Sequence, residues 1–406
     1  MWQNRDTMTA TFHTNQITRR SIPAFYLMGC IREIIPIYPL YAVMFTEQGI
    51  TPLELSALFI TWSSVGILLE IPSGTLADRF SRKWLIVSSS GFKSAAFFTW
   101  YLWPDFYGYG LGFILWGVGS TLRSGAWEAL LYDLLATIDR QGEFTRHYGR
   151  ISALSTIGVM LGEACGGFLI VHGYSVVLLV SAAIPLIAAI PFALLVKDVP
   201  RKESASEASY TQLFQSGLKE VVVSPNIRYL VLVVGLLLVT FGVYDEYSGV
   251  LLLEKDYSLA MIAFLGIPIF FAQAIGQALT PRFERFSQRQ ILTLIAASAL
   301  LLVTLPFTGI HWAPVALSIY FFTFGVSATL FQGYLQNAIE GEARATVTSF
   351  AGFADGVGAI IWYLIFGAMA EVHGVVMASL GLGLLAALLC GFFSLLASHW
   401  YKQTST

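Results

Sequence analysis

Eleven ionisable side chains interrupt long apolar runs of this chain: Arg32, Glu33, Glu70, Lys93, Arg123, Glu128, Asp133, Glu163, Asp245, Glu246 and Asp355. Each costs at least about 2.5–3.5 kcal/mol inside a lipid-length helix, so each is a functional candidate by default. The chemistry open to them is the handling of ions and protons. A carboxylate that is dried at one moment and wetted at another can take up a proton and release it. Glu33 is the first choice for that role, or for contact with a substrate group. Arg123 reads as counter-ion to Glu33 or Glu163, or as the anchor of an anionic substrate. Arg32 and Glu33 project about 100° apart on a helix, so one of them is expected to pair with a neighbouring helix. Lys93 is expected to brace its surroundings or to snorkel. Asp355, close to Gly352 and Gly358, reads as a matching acid in the second half of the chain. Glu128, Glu163 and Asp245 complete the candidate pathway. Glu70, Asp133 and Glu340 lie nearer the ends of their runs, and Glu70 reads equally as a gate or a structural partner.

Other chemistries have less support. The six histidines are scattered, without metal-ligand spacing or a nucleophile–base arrangement. Cys30, Cys165 and Cys390 fall within apolar runs and read as small buried residues. The glycines Gly108, Gly110, Gly112, Gly117 and Gly119 follow no strand and form no phosphate-binding fingerprint, and a Walker A motif is missing. No metal, no cofactor and no enzymatic activity are expected. A formal charge of −2 gives no field for nucleic acid.

The elements that must position these residues follow from composition. Of 406 residues, 56% are hydrophobic and only 12% charged, against about 25% charged in soluble chains. Mean hydropathy is +0.69. Lipid is the natural solvent. Spans of roughly 20 apolar residues occur at 22–45, 53–76, 84–103, 108–135, 148–171 and 174–196. Six more follow at 228–252, 259–280, 290–309, 313–338, 345–370 and 375–399. The expected fold is all-α and integral to the membrane, with twelve transmembrane helices. Basic residues (Arg79, Arg82, Lys83; Arg140, Arg146, Arg150; Lys197, Arg201, Lys202; Arg282, Arg285, Arg289; Arg344; Lys402) follow every second span, and Lys255 is the one base in the intervening loops. By the positive-inside rule both termini are cytoplasmic. The polar stretch 197–225 reads as a linker with an interfacial helix from Tyr210 to Val223. It divides the chain into six-helix bundles at 1–196 and 226–406.

The two halves repeat each other. Asp78-Arg79-Phe80-Ser81-Arg82-Lys83 follows the second span, and Glu284-Arg285-Phe286-Ser287-Gln288-Arg289 follows the eighth. Parallel repeats of this kind are a known transporter architecture.

Over nearly its whole length the chain resembles the major facilitator superfamily. Gly74-Thr75-Leu76-Ala77-Asp78-Arg79-Phe80-Ser81-Arg82-Lys83 is similar to that superfamily's motif A, with Ser81 where a second glycine is usual. The resemblance implies a conformational gate built from Gly74, Asp78, Arg79, Arg82 and Asp133. Gly149, Gly158, Gly162, Gly166 and Gly167 match the glycine spacing of the antiporter motif C, with Glu163 at the usual proline; there they imply close packing across the interface of the halves. Pro36 and Pro39 resemble the proline pair of a drug-antiporter first helix. The arginine of motif B is missing from its usual place, and Arg123 lies further along. The resemblance implies a monomeric secondary transporter of the cell inner membrane, with lipid, protons and a small molecule as its partners. It implies alternating access and export of an amphiphilic compound or metabolite. Uptake of a nutrient, organic anion or siderophore-like solute is the alternative, followed by a transporter-like sensor.

Overall fold

The computed structural model describes residues 21–197, 219, 221–338 and 344–400, and among them every regular element is helical. The first span consists of α1 (Ser21–Ile31) and α2 (Tyr41–Glu47). Then follow α3 (Pro52–Arg79), α4 (Arg82–Leu102), α5 (Phe106–Ala136), α6 (Phe144–Leu169) and α7 (Tyr174–Leu195). The second half contains α8 (Pro225–Glu254), α9 (Leu259–Phe283), α10 (Gln288–Val303), α11 (Trp312–Ala338), α12 (Arg344–His373) and α13 (Val375–Trp400). Counting α1 and α2 as one, these are the twelve expected spans. The interfacial helix expected at 210–223 lies outside the described residues except at its end.

Short polar residues start the helices by satisfying otherwise orphaned N–H groups. Asp105 accepts from the Tyr107 and Gly108 amides at 3.0 Å. Ser81 caps α4, its hydroxyl accepting from the Trp84 amide at 3.3 Å. At the repeat position Ser287 caps α10 in a capping box with Gln290. A serine therefore does here what the repeat requires, and the missing glycine at position 81 leaves no gap. A second repeat is visible in the turns: Val171-His172-Gly173 ends the fifth span and Val372-His373-Gly374 ends the eleventh. Both glycines have left-handed φ, +88° and +81°, a conformation that strains other residues.

Contacts divide the chain into two compact units. The first combines the described residues of Met1–Tyr38 and Val65–Ala205, and the second those of Pro39–Ser64 and Ser206–Thr406. In the first, Phe25, Met28, Trp127, Leu130, Leu131, Leu134 and Phe192 form a buried core. In the second, Phe241 stacks on Tyr320 with centroids 4.0 Å apart, and the Tyr244 hydroxyl donates to the Ser379 carbonyl at 2.7 Å. The middle of α8 widens to a π-helix at Val233–Leu238. Gly358 of α12 lies so close there that an added Cβ would come within 1.6 Å of the Gly235 carbonyl. The Trp362 indole donates to the Leu236 carbonyl at 2.7 Å, satisfying a backbone group in that irregular turn.

The second unit also holds α2 and the start of α3, and named hydrogen bonds explain why. Tyr41 donates to the Glu246 carboxylate. The Ser56 and Tyr247 hydroxyls are 2.7 Å apart, Tyr247 donates to the Pro52 carbonyl at 2.9 Å, and the Leu53 amide donates to Glu371 at 3.0 Å. Gly249 and Gly367 leave room for Pro39 and Ser56 respectively. Tyr41→Phe removes one of these bonds and loosens the contact. Loss of one such bond, about 1 kcal/mol, is expected to raise the modification rate of a cysteine placed at Ser56 about fivefold. An unchanged rate would show that the bond holds nothing closed.

Candidate functional site

The first span was expected as one helix over 22–45, and it is broken in the middle. Pro36 and Pro39 bring no N–H donor, and each disfavours helix in the residue before it. The Arg32 amide still bonds to the Met28 carbonyl at 3.1 Å; then Glu33 turns back to Cys30 at 3.2 Å and Ile35 to Glu33 at 2.9 Å. Non-helical backbone at membrane depth is tolerated where protein covers it. The Ile37 amide, freed by the break, donates to the Ser181 hydroxyl of α7 at 3.0 Å. Gly158 and Gly162 of α6 accept the same stretch: an added Cβ would come within 2.3 Å of the Cys30 carbonyl or 2.6 Å of the Ile35 amide. These two glycines thus pack on the first span of their own unit, where motif C implied packing between the halves. Gly149 meets nothing within 4 Å.

The break sets Arg32 and Glu33 just beyond the last helical turn, so the 100° separation of a regular helix does not apply to them. Glu33 Oε2 accepts from Lys93 Nζ and from the Tyr38 hydroxyl, both at 3.1 Å. Lys93 neither snorkels nor reaches solvent; its side chain is 2% exposed against 18% for Glu33. Its ammonium also lies 5.0 Å from the Tyr38 ring centroid and 6.0 Å from that of Trp116, within the reach of cation–π attraction. Tyr38 and Trp116 stack 5.5 Å apart and nearly parallel. Close packing of α4 on α5 places Lys93 there: Gly119 sits against the Ser89 carbonyl and Phe92.

Arg32 is buried, and Glu33 and Arg123 are its charged electrostatic neighbours. The Arg123 guanidinium lies 5.8 Å from the Trp127 ring centroid. Glu163 is buried on α6 at 1% exposure. Glu128 points elsewhere and accepts from Tyr148 at 2.8 Å. Asp245 and Asp355 belong to the second unit, both exposed. Of the gate residues, Arg82 and Asp133 form an ion pair between α4 and α5. Gly74, Asp78 and Arg79 lie in the last part of α3, and their side chains, like that of Glu70, are outside the described residues. Glu340 lies outside them too. Sequence reasoning passed over Ser181, whose only signal is a hydroxyl in an apolar span, and did not pair Glu33 with Lys93 or Glu246 with Tyr41.

The first span is broken, its Glu33 pairs with Lys93 of α4, and the basic loop after the second span is repeated after the eighth. The profile of the Major Facilitator Superfamily matches residues 24–363. The chain belongs to the Major Facilitator Superfamily. This superfamily member is 25% identical over 358 residues to quinolone resistance protein NorA of Staphylococcus aureus (strain MSSA476), covering 86% of this chain and 88% of NorA. Among solved structures, the nucleoside transporter NupG matches with a TM-score of 0.76, covering 95% of this chain and 99% of that one at 13% identity. A bacterial homolog of the human lysosomal transporter Spinster, inward-facing and occupied, matches at 0.72 over 95% and 96% with 14% identity. These structural likenesses speak for the fold, which is the twelve-helix major facilitator fold.

Proposed function

We propose that this superfamily member is a secondary active transporter that exports a small amphiphilic compound in exchange for protons by alternating access. The observation that carries the reading is the Glu33–Lys93 pair, with Glu33 and its donor Tyr38 on the non-helical backbone of the broken first span and Lys93 on α4. A buried pair is a weak source of stability, and a broken span is costly unless it serves a site. The likeness to NorA supports export of an amphiphile. In this reading bundles 1–196 and 226–406, joined by the linker 197–225, rock about a midplane site with both termini in the cytoplasm. The chain then works as a monomer of the inner membrane. Glu33 is the proton carrier, and Asp245 and Asp355 are acids of the other bundle on the same route. The motif A residues Gly74, Asp78, Arg79, Arg82 and Asp133 form the cytoplasmic gate.

Reconstitution of the full chain into liposomes tests the reading, with norfloxacin and an amphiphilic dye as probes. Acid-inside vesicles are expected to accumulate the probes, and a protonophore to abolish accumulation. Gradient-independent flux would overturn the coupling, and uptake driven in the opposite sense would replace export with import. The gate makes a smaller prediction. Asp133→Asn removes a half-exposed ion pair worth at most about 1 kcal/mol. It should therefore shift cytoplasmic accessibility up to about fivefold without changing the order of preference among probes, as thiol labelling of a cytoplasmic-side cysteine would show. A changed order of preference would contradict a purely conformational role.

A further inference from the structure

Three cations of the first unit gather about one carboxylate. Arg32, Lys93 and Arg123 are all electrostatic neighbours of Glu33, yet both hydrogen bonds that Glu33 receives come from Lys93 and Tyr38. Both fall on Oε2, and neither guanidinium donates a hydrogen bond to Glu33 among the described residues. Arg32 is 4% exposed, and its Nε and Nη1 are buried without a hydrogen-bond partner among the described residues. Arg123 Nε is in the same condition. The two guanidiniums are also each other's electrostatic neighbours, with like charge. Glu163 is buried but not free, so it does not enter this count. A buried unpartnered donor costs free energy, more so when it is charged. Two such donors of like sign near one another are stabilised by an anion that both can reach.

We propose that the transported solute is an amphiphilic organic anion whose carboxylate or phosphate docks on Arg32 and Arg123. The proposal rests on the transporter reading of the same site and names its substrate class. Guanidinium suits the task, since its planar fork can donate two parallel bonds to a carboxylate or phosphate. Aromatic rings belong to the same cluster and suit an apolar part of the solute: Tyr38 stacks on Trp116, and Trp127 lies next to the Arg123 guanidinium. Lys93 is already committed to Glu33, so the proton-carrying pair and the anion-binding pair are separate parts of one cluster. An anion arriving at Arg32 competes electrostatically with the neighbouring Glu33 carboxylate.

The test uses the purified full chain in nanodiscs and four probes of one aromatic shape: 1-naphthaleneacetate, 1-naphthyl phosphate, 1-naphthaleneacetamide and 1-naphthylmethylammonium. Binding is read by quenching of tryptophan fluorescence. At least one anion should bind about tenfold or more tighter than the amide and the ammonium, as expected for a charge-assisted bond. Which anion it is separates carboxylate from phosphate cargo. Arg32→Gln and Arg123→Gln should each bring that preference close to one, and Arg32→Lys should restore part of it. Thermal unfolding of each variant identifies any that fail to fold, and Arg32→Lys keeps the test decisive if Arg32→Gln does. Equal affinity for anion and amide, binding of the ammonium alone, binding of no anion, or an anion preference unmoved in folded arginine variants would each overturn the proposal. Flux of the probes in proteoliposomes is read separately. Flux without anion preference sinks this inference alone, whereas anion preference without flux of any solute sinks the transporter reading and leaves the site.

Discussion

Glu33→Gln is expected to reduce pH-gradient-driven transport to background while the protein still inserts in the membrane. The amide does not titrate, so the gradient loses its handle, and Lys93 loses its counter-charge in the same step. Breaking a buried pair by removing one partner costs about 3–5 kcal/mol, equivalent to about 100-fold or more in a binding equilibrium. Some of that loss will appear as instability, which on its own would not speak for a role in transport. The double variant Glu33→Gln/Lys93→Met separates the two effects. Removing both charges should restore much of the thermal stability, because no buried charge is left unpaired, but gradient-driven flux should stay at background. Recovery of flux in the double variant would mean that the pair is structural and the proton travels elsewhere.

The second large effect is expected at the glycines that receive the broken span. Gly158→Ala and Gly162→Ala each place a Cβ against backbone, 2.3 Å from the Cys30 carbonyl and 2.6 Å from the Ile35 amide. Backbone cannot rotate aside as a side chain can, so the broken stretch itself must move. Overpacking of this kind costs about 1–3 kcal/mol. Because the displaced segment carries Arg32 and Glu33, transport should fall more than stability does. Gly149→Ala is the control on the same helix: nothing lies within 4 Å of its added Cβ, and its effect should stay within about 0.5 kcal/mol. Thermal unfolding and initial flux rates check all three. Equal behaviour at the three glycines would dissociate the glycine stripe from the site.

Much of the fold could be read directly because lipid imposes a simple rule: apolar runs of span length, with basic loops after every second one, have few alternative arrangements. The repeat loops also declared themselves, and Ser81 and Ser287 cap their helices at equivalent places. The site was less legible. Pro36 and Pro39 were visible, but proline is tolerated in membrane helices when neighbours re-satisfy the freed groups. The rescue here depends on Ser181, 144 residues from Ile37. Lys93 is 60 residues from Glu33, and an ammonium in an apolar run can equally snorkel or pair. Which of the two occurs depends on the helices packed around α4 and on the first span that carries Glu33. Arg82 and Asp133 were associated through motif A, and the ion pair between them spans 51 residues. Charge in a span marked the right kind of residue, but not which charges meet: Glu128 carries the same mark as Glu33 and bonds to Tyr148 instead.

The most direct test is whether water reaches position 33. In a chain with Cys30, Cys165 and Cys390 replaced by serine or alanine, Glu33→Cys combined with Lys93→Met gives one thiol at the site without an orphaned ammonium. A membrane-impermeant cationic methanethiosulfonate should modify it from the aqueous phase, more slowly when the 1-naphthyl anions are present. Modification by a lipid-soluble maleimide alone, with the water-soluble reagent excluded from both sides, would place the carboxylate against the hydrocarbon and contradict a carrier site.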